Sequence, residues 1–142
     1  MNRTDTLLRL KRFHVDEIKR RLASIDAMKT DLEKKLADLD DNVTREKQRA
    51  GDSDIGRLAF PSFLRSIETR RDNLRNTLKE IEREYASAQL DLSDAFQDLK
   101  ALEIATEQQA RRLSEMQARH AQNRMDEMAL TRHLRKHALR SA

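Results

Sequence analysis

Two histidines one helical turn apart, His133 and His137, are the first candidates for chemistry in this chain. Imidazoles at i and i+4 on a helix can share one metal ion. No third ligand is evident beside them, so no metal site is expected and the pair reads as solvated or seam side chains. Asp126 and Glu127 are neighbouring carboxylates. On a helix they point about 100° apart, so they do not converge on a substrate as acid and base. There is no glycine-rich phosphate loop and no cysteine nucleophile. A Ser–His–acid set needs a pocket to converge in, and the elements that this sequence encodes make a rod without one. The expectation is no enzyme, no catalytic residue, no cofactor and no metal.

The elements follow from where the chain keeps its backbone breakers. Residues 51–61 read GDSDIGRLAFP and hold both glycines, Gly51 and Gly56, and the only proline, Pro61. Two long uninterrupted segments flank this window. Apolar residues make up 37% and charged residues 38%, with four Phe, one Tyr and no Trp. That composition is too poor in aromatic mass for a layered globular core, and it suits either a coiled coil or a disordered chain. The order of the apolar residues decides between them.

Reading back from Gly51, Val43, Leu39, Leu36, Leu32, Lys29, Ile25, Leu22, Ile18, Val15, Lys11 and Leu8 alternate by four and three. Reading forward, Phe60, Leu64, Ile67, Arg71, Leu74, Leu78, Ile81, Tyr85, Ala88, Leu92, Ala95, Leu99 and Leu102 do the same. A 3.5-residue repeat of this length is a coiled-coil seam and argues against disorder. Beyond Leu102 the same positions turn polar: Thr106, Gln109, Leu113, Met116, His120, Asn123, Glu127, Leu130, Leu134, His137. His120 reads as a polar specificity residue of that seam. The residues there still favour helix.

The expected fold is therefore all-α: one coiled-coil domain over 1–142, a long two-helix antiparallel hairpin with an overhanging C-terminal helix. Helix 1 is expected at about 4–48, the turn at about 49–60 and helix 2 at about 61–138. Folding back near 51–60 sets residue 43 by 64, 22 by 85 and 4 by about 103. The first helix thus ends where the second seam turns polar, leaving an overhang of about 50 Å. That agreement favours a hairpin within one chain, hence a monomer, over two long helices in a parallel homodimer. On that register the charge pairs are mixed: Arg21 could face Glu84 and Glu33 could face Arg75, but Lys35 would sit near Arg70. Pro61 suits the first turn of helix 2. Gly51 suits a left-handed residue closing helix 1, and Asp52, Ser53 and Asp54 supply turn chemistry.

The charge is polarised. Residues 1–21 carry seven basic and three acidic side chains, and residues 111–142 carry eight basic and three acidic, while the middle is net acidic. A basic helix end could meet nucleic acid, but apart from Phe13 no aromatic interleaves the cations to stack bases. An acidic protein surface suits it better. Two apolar features lie off the seam: Phe63, beside Phe60 and Ile67 at the tip, and a stripe of Ala118, Ala121, Met125 and Met128 in the overhang. Methionine suits adaptable partner surfaces. No apolar run reaches the length of a membrane span, and MNRTDTLLRLKRF lacks the apolar stretch of a signal peptide. With no cysteine the compartment is left open, and an intracellular protein is the default expectation.

The segment QARHAQNRMDEMALTRHLRK, Gln117 to Lys136, resembles the C-terminal segment of the flagellar export protein family FliJ. There a basic residue, an apolar residue and an Asp-Glu pair precede a small residue and a basic tail; here these are Arg124, Met125, Asp126, Glu127 and Ala129. TDTLLRLKRFHVDEIKRRL is similar to the family's N-terminal helix, with its Leu8–Leu10 stretch and Glu17, and PSFLRSIETRRDNL to the start of its second helix. The likeness runs through nearly the whole chain. It implies a non-catalytic, stalk-like coiled coil of the type III protein export apparatus, cytoplasmic and peripherally associated with the inner membrane at the flagellar base. The implied partners are the hexameric export ATPase, the cytoplasmic part of the membrane export gate, and export chaperones. ATPase contact is expected at Arg124, Met125, Asp126, Glu127, Met128, Arg132 and Arg135. Gate contact is expected at Phe63 and Ile67, while Arg70 and Leu74 depart from the family's residues there and helix 1 lacks the tyrosines some members carry before the turn. The competing readings are a generic scaffolding coiled coil, including an injectisome stalk, and a basic nucleic-acid-associated rod.

Overall fold

The structure, a computed structural model, describes residues 2–141. Met1 and Ala142, the ends of the expected domain, lie outside the described residues. Two helices account for nearly all of it: α1, Arg3–Ala50, and α2, Asp54–Ser141. They pack against each other as an all-α helical hairpin, and the described residues contain no strand. Two compact units can be distinguished along the chain: Arg9–Gln97, and a second made of the segments through Leu8 and from Asp98 onward.

In the Arg9–Gln97 unit the heptad positions are the buried ones. Val15, Ile18, Ile25, Leu32 and Leu39 of α1 are buried, with Leu22, Leu36 and Val43 half-buried between them. On α2, Ile67, Ile81, Ala88 and Ala95 are buried, and Leu74, Leu78, Tyr85 and Leu92 half-buried. Ile25, Leu32, Ile81 and Ala88 form one cluster with Leu22, Leu74, Leu78 and Tyr85 around it. Ala88 has no exposed surface at all. A small residue there brings the helices close, and the large residues around it fill the space to either side. Both seam lysines, Lys11 and Lys29, are half-buried, because a lysine stem can lie along apolar surface while its ammonium reaches water. Arg71 is half-buried too, and its guanidinium reaches Asp40 across the hairpin.

The cross-helix pairs are not the expected ones. Arg21 meets Asp91 at 3.4 Å, one heptad beyond Glu84, and no ion pair joins Glu33 to Arg75. The reason is the direction of helical side chains, which lean toward their own N-terminus. An arginine reaches about a turn back along its helix, so Arg21 acts level with residues near 17, and Arg71 with residues near 67. Corrected for that reach, both pairs fit the backbone register in which residue 22 lies by 85. Asp40 pairs with Arg71 and Arg21 with Asp91, so numbers rise on one helix as they fall on the other: the helices are antiparallel.

The turn differs most from expectation. α2 starts at Asp54, not near Pro61. Ser53 is its N-cap, its Oγ accepting the Gly56 N–H at 3.0 Å, with Asp54 in the first turn. This cap, and the two turns of helix it starts, outweigh the preference of proline for a helix start. Pro61 is thus inside α2 and offers no N–H to the Arg57 carbonyl. Gly51 is not left-handed, since no glycine among the described residues has a positive φ. Its N–H still donates to the Lys47 carbonyl at 3.3 Å, and its own carbonyl accepts from the Arg57 guanidinium at 3.2 Å. The arginine satisfies the helix end that a left-handed glycine would have closed. Gly56 has a different use. A Cβ there would lie 3.1 Å from the Ala50 Cα and 2.9 Å from the capping Ser53 Oγ. It lets the two helices approach at the turn.

Candidate partner-binding surfaces

In the unit that contains Asp98 onward, Leu99 is buried, and Leu102 and Thr106 are half-buried. Thr4, Leu7, Leu102 and Thr106 line one shallow groove. The start of α1 is held by Asn2, whose Oδ1 accepts the Asp5 N–H at 2.8 Å. Thr106 is the last half-buried residue of α2 among the described residues: every residue from 107 to 140 is exposed, on every face of the helix. The helix persists there through its propensity and through local pairs, Arg111–Glu107 at 3.1 Å, Arg119–Glu115 at 3.8 Å and the Gln122 amide to Asp126 at 3.1 Å. Such a stretch spans about 50 Å at 1.5 Å per residue.

All seven residues expected to meet the ATPase fall in this stretch. Helical spacing sorts them onto faces. Arg124, Met128, Arg132 and Arg135 fall within about 80° of one another, with Ala121 in the same arc and Met125 at its margin. Arg124, Glu127, Met128, Thr131, Arg132 and Arg135 surround one shallow depression. Met125 and Met128 are each about two-thirds exposed. Arg124, Arg132 and Arg135 have no ion pair among the described residues. Asp126 lies about 160° round the helix from Arg124 and Glu115 is also turned away, so the cationic face keeps only Glu127 at its edge. The structure thus brings Arg124, Met128, Arg132 and Arg135 together and separates Asp126 from them. The chemistry on offer is a row of guanidinium forks around flexible thioethers, suited to carboxylates beside an apolar surface.

At the tip the two residues expected to touch a gate differ. Phe63 is half-buried and stacks on Phe60 with ring centroids 6.3 Å apart. Ile67 is buried in the seam, 4% exposed. The apolar surface at the tip belongs instead to Ile55 and Leu58, both more than 80% exposed. Neither was singled out from sequence, because both sit inside the window of glycines and proline. The signal was present: two aliphatic residues three apart that match no heptad position.

His133 and His137 meet edge to face, centroids 4.5 Å apart. No group of three metal-ligating side chains occurs among the described residues, and no helix is long and apolar enough to cross a membrane. The exposed helix, its cationic face and the heptad hairpin can be set beside known proteins. The model of one family, described as Flagellar FliJ protein, matches residues 1–138. The chain belongs to the FliJ family. No curated protein and no solved structure matched it. FliJ is a flagellar export protein, and membership makes this chain a component of flagellar export that associates with other parts of the export apparatus. The FliJ assignment and the helical hairpin agree with the expectation drawn from the Gln117–Lys136 segment and the heptad seam.

Proposed function

We propose that this FliJ-family chain is a non-catalytic, stalk-like coiled coil on the cytoplasmic side of the flagellar base, a monomer that links the hexameric export ATPase to the membrane export gate and handles export chaperones. One observation carries the reading. A stretch of helix with no packing partner of its own presents Arg124, Arg132 and Arg135 around Met128, with Glu127 the one acid at the edge of that face. Isolated helix is marginal in water, so a stretch of this length gains from a binding partner. A ring of ATPase subunits with acidic, partly apolar loops fits it. Because Asp126 lies across the helix from Arg124, a partner that uses both must reach round the helix, as a ring does. Near the turn, gate contact would fall on Phe63 with Ile55 and Leu58, and buried Ile67 would hold them in place without touching the gate.

The test is binding of the full chain to the purified ATPase at low and physiological salt. The combined variant Arg124→Glu, Arg132→Glu, Arg135→Glu should weaken binding by about tenfold or more and leave the urea midpoint unchanged. Undiminished binding at low salt would overturn the assignment. A nucleic-acid rod would instead lose duplex affinity steeply with salt, and light scattering would report a dimer if the parallel-homodimer arrangement held.

A further inference from the structure

The stretch beyond residue 106 has a second face that the cationic row does not use. Gln109, Leu113, Met116, Leu130 and Leu134 lie at the three-and-four positions that continue the heptad seam of α2, with the polar His120, Asn123 and Glu127 between them, and the four apolar members are each more than half exposed. Where the burial of that seam ends, Thr4, Thr106, Gln109, Leu113 and Met116 line an open groove. The face lies roughly 120° round the helix from Met128 and Arg132. Its borders carry Arg112 and Arg119 on one side and Arg124 and Arg135 on the other, against Asp126 and the in-line Glu127.

We propose that this face is a second docking site, and that its occupant is an acidic amphipathic helix of another protein, packed along α2 in line with the seam that α1 already occupies. Two features favour that occupant. The first is continuity: the positions are those of the existing helix–helix interface, so a helix extends it with the same spacing. The second is charge: residues 111–142 are net basic by five, which attracts glutamates at the borders of the incoming helix. The same charge opposes a second copy of this chain, whose equivalent stretch is equally basic. Asn123 and Glu127, polar in the middle of the face, fix the register of the partner, as a polar core residue does in a coiled coil. The apolar members of the site are separate from the cationic row, with which it shares only the bordering Arg124 and Arg135 and the in-line Glu127, so it does not rest on the ATPase reading.

The experiment uses the full chain and, as probe, a labelled synthetic helix with leucines at a and d and glutamates at e and g, followed by fluorescence anisotropy. Leu113→Ser, Leu130→Ser and Leu134→Ser together keep the charge and all three sites are exposed, so folding is preserved. They should weaken probe binding by about tenfold or more. Met125→Ser with Met128→Ser should change it less than about twofold. Equal losses from both sets, or none from the leucine set, would overturn the proposal, as would equal binding of the same probe with lysines for glutamates. Self-association of the chain in light scattering, abolished by the leucine set, would show the face to be a homotypic interface and would overturn it as well.

Discussion

Two regions of α2 carry the same heptad spacing and have opposite fates. From Ile67 to Ala95 each apolar heptad residue is buried or half-buried; from Leu113 to Leu134 each one is exposed. The difference is one of content and of company. The first region places Ile, Leu, Ala and Tyr opposite the apolar row of α1. The second interleaves His120, Asn123 and Glu127 among its leucines, and its unit holds only the short α1 segment through Leu8 to meet them. Periodicity alone therefore marks where a helix could pack, and burial depends on whether an apolar partner is there. The largest expected effect follows directly. Ile25→Ala removes a side chain that is 4% exposed from the central cluster and should cost about 2–4 kcal/mol of unfolding free energy. Leu130→Ala, at an equivalent heptad position but 58% exposed, should change it by less than about 0.5 kcal/mol. Urea unfolding followed by circular dichroism reads both. Similar costs would mean that the exposed stretch is packed in the free protein.

A gain should sharpen the same contrast. Lys29 interrupts the α1 seam and is half-buried. Lys29→Leu extends the apolar row against α2 and should stabilise the protein by about 1 kcal/mol. His120 interrupts the seam in the exposed region, and His120→Leu should leave the urea midpoint where it was. If the leucine at 120 stabilised as much as the one at 29, an intramolecular partner for that stretch would have been overlooked.

The seam was legible in the sequence because a coiled coil is nearly one-dimensional: the three-and-four alternation alone tells which side of each helix is covered. The point where burial stops, Thr106, was legible for the same reason, through the arithmetic of folding back near Gly51. Two kinds of feature were not. Side-chain reach moved the Arg21 partner from Glu84 to Asp91, since heptad counting places Cα atoms and not guanidinium groups. The turn was decided by competition between local signals. Ser53 capped α2 eight residues before the only proline, and Arg57 closed the end of α1 without a left-handed glycine. Of the candidate site, the spacing of Arg124, Arg132 and Arg135 could be read as a face, whereas Ile67 could not be known as buried until its place in the seam was weighed above its likeness to a contact position.

The smallest effect separates the regions most finely. Arg21 and Asp91 form a cross-helix pair at 3.4 Å with both side chains about half exposed, and Arg119 and Glu115 form an i, i+4 pair at 3.8 Å on the exposed stretch. In water each is worth little: about 0.2–1 kcal/mol for an exposed pair and about 0.3–0.5 kcal/mol for a helical one, less in salt. They should differ in which transition they report. The Arg21–Asp91 contact exists only while the hairpin is closed, so a double-mutant cycle through Arg21→Ala and Asp91→Ala should give a coupling of a few tenths of a kcal/mol in global unfolding. The Arg119–Glu115 contact depends on one turn of helix that can open and close without disturbing Ile25 or Ala88. Its cycle should give almost no coupling in global unfolding, yet its loss should speed amide exchange locally around residues 115–119. A global coupling for Arg119–Glu115 equal to that of Arg21–Asp91 would mean that the exposed stretch melts with the hairpin as one cooperative unit, and the distinction between a packed seam and a waiting one would fail.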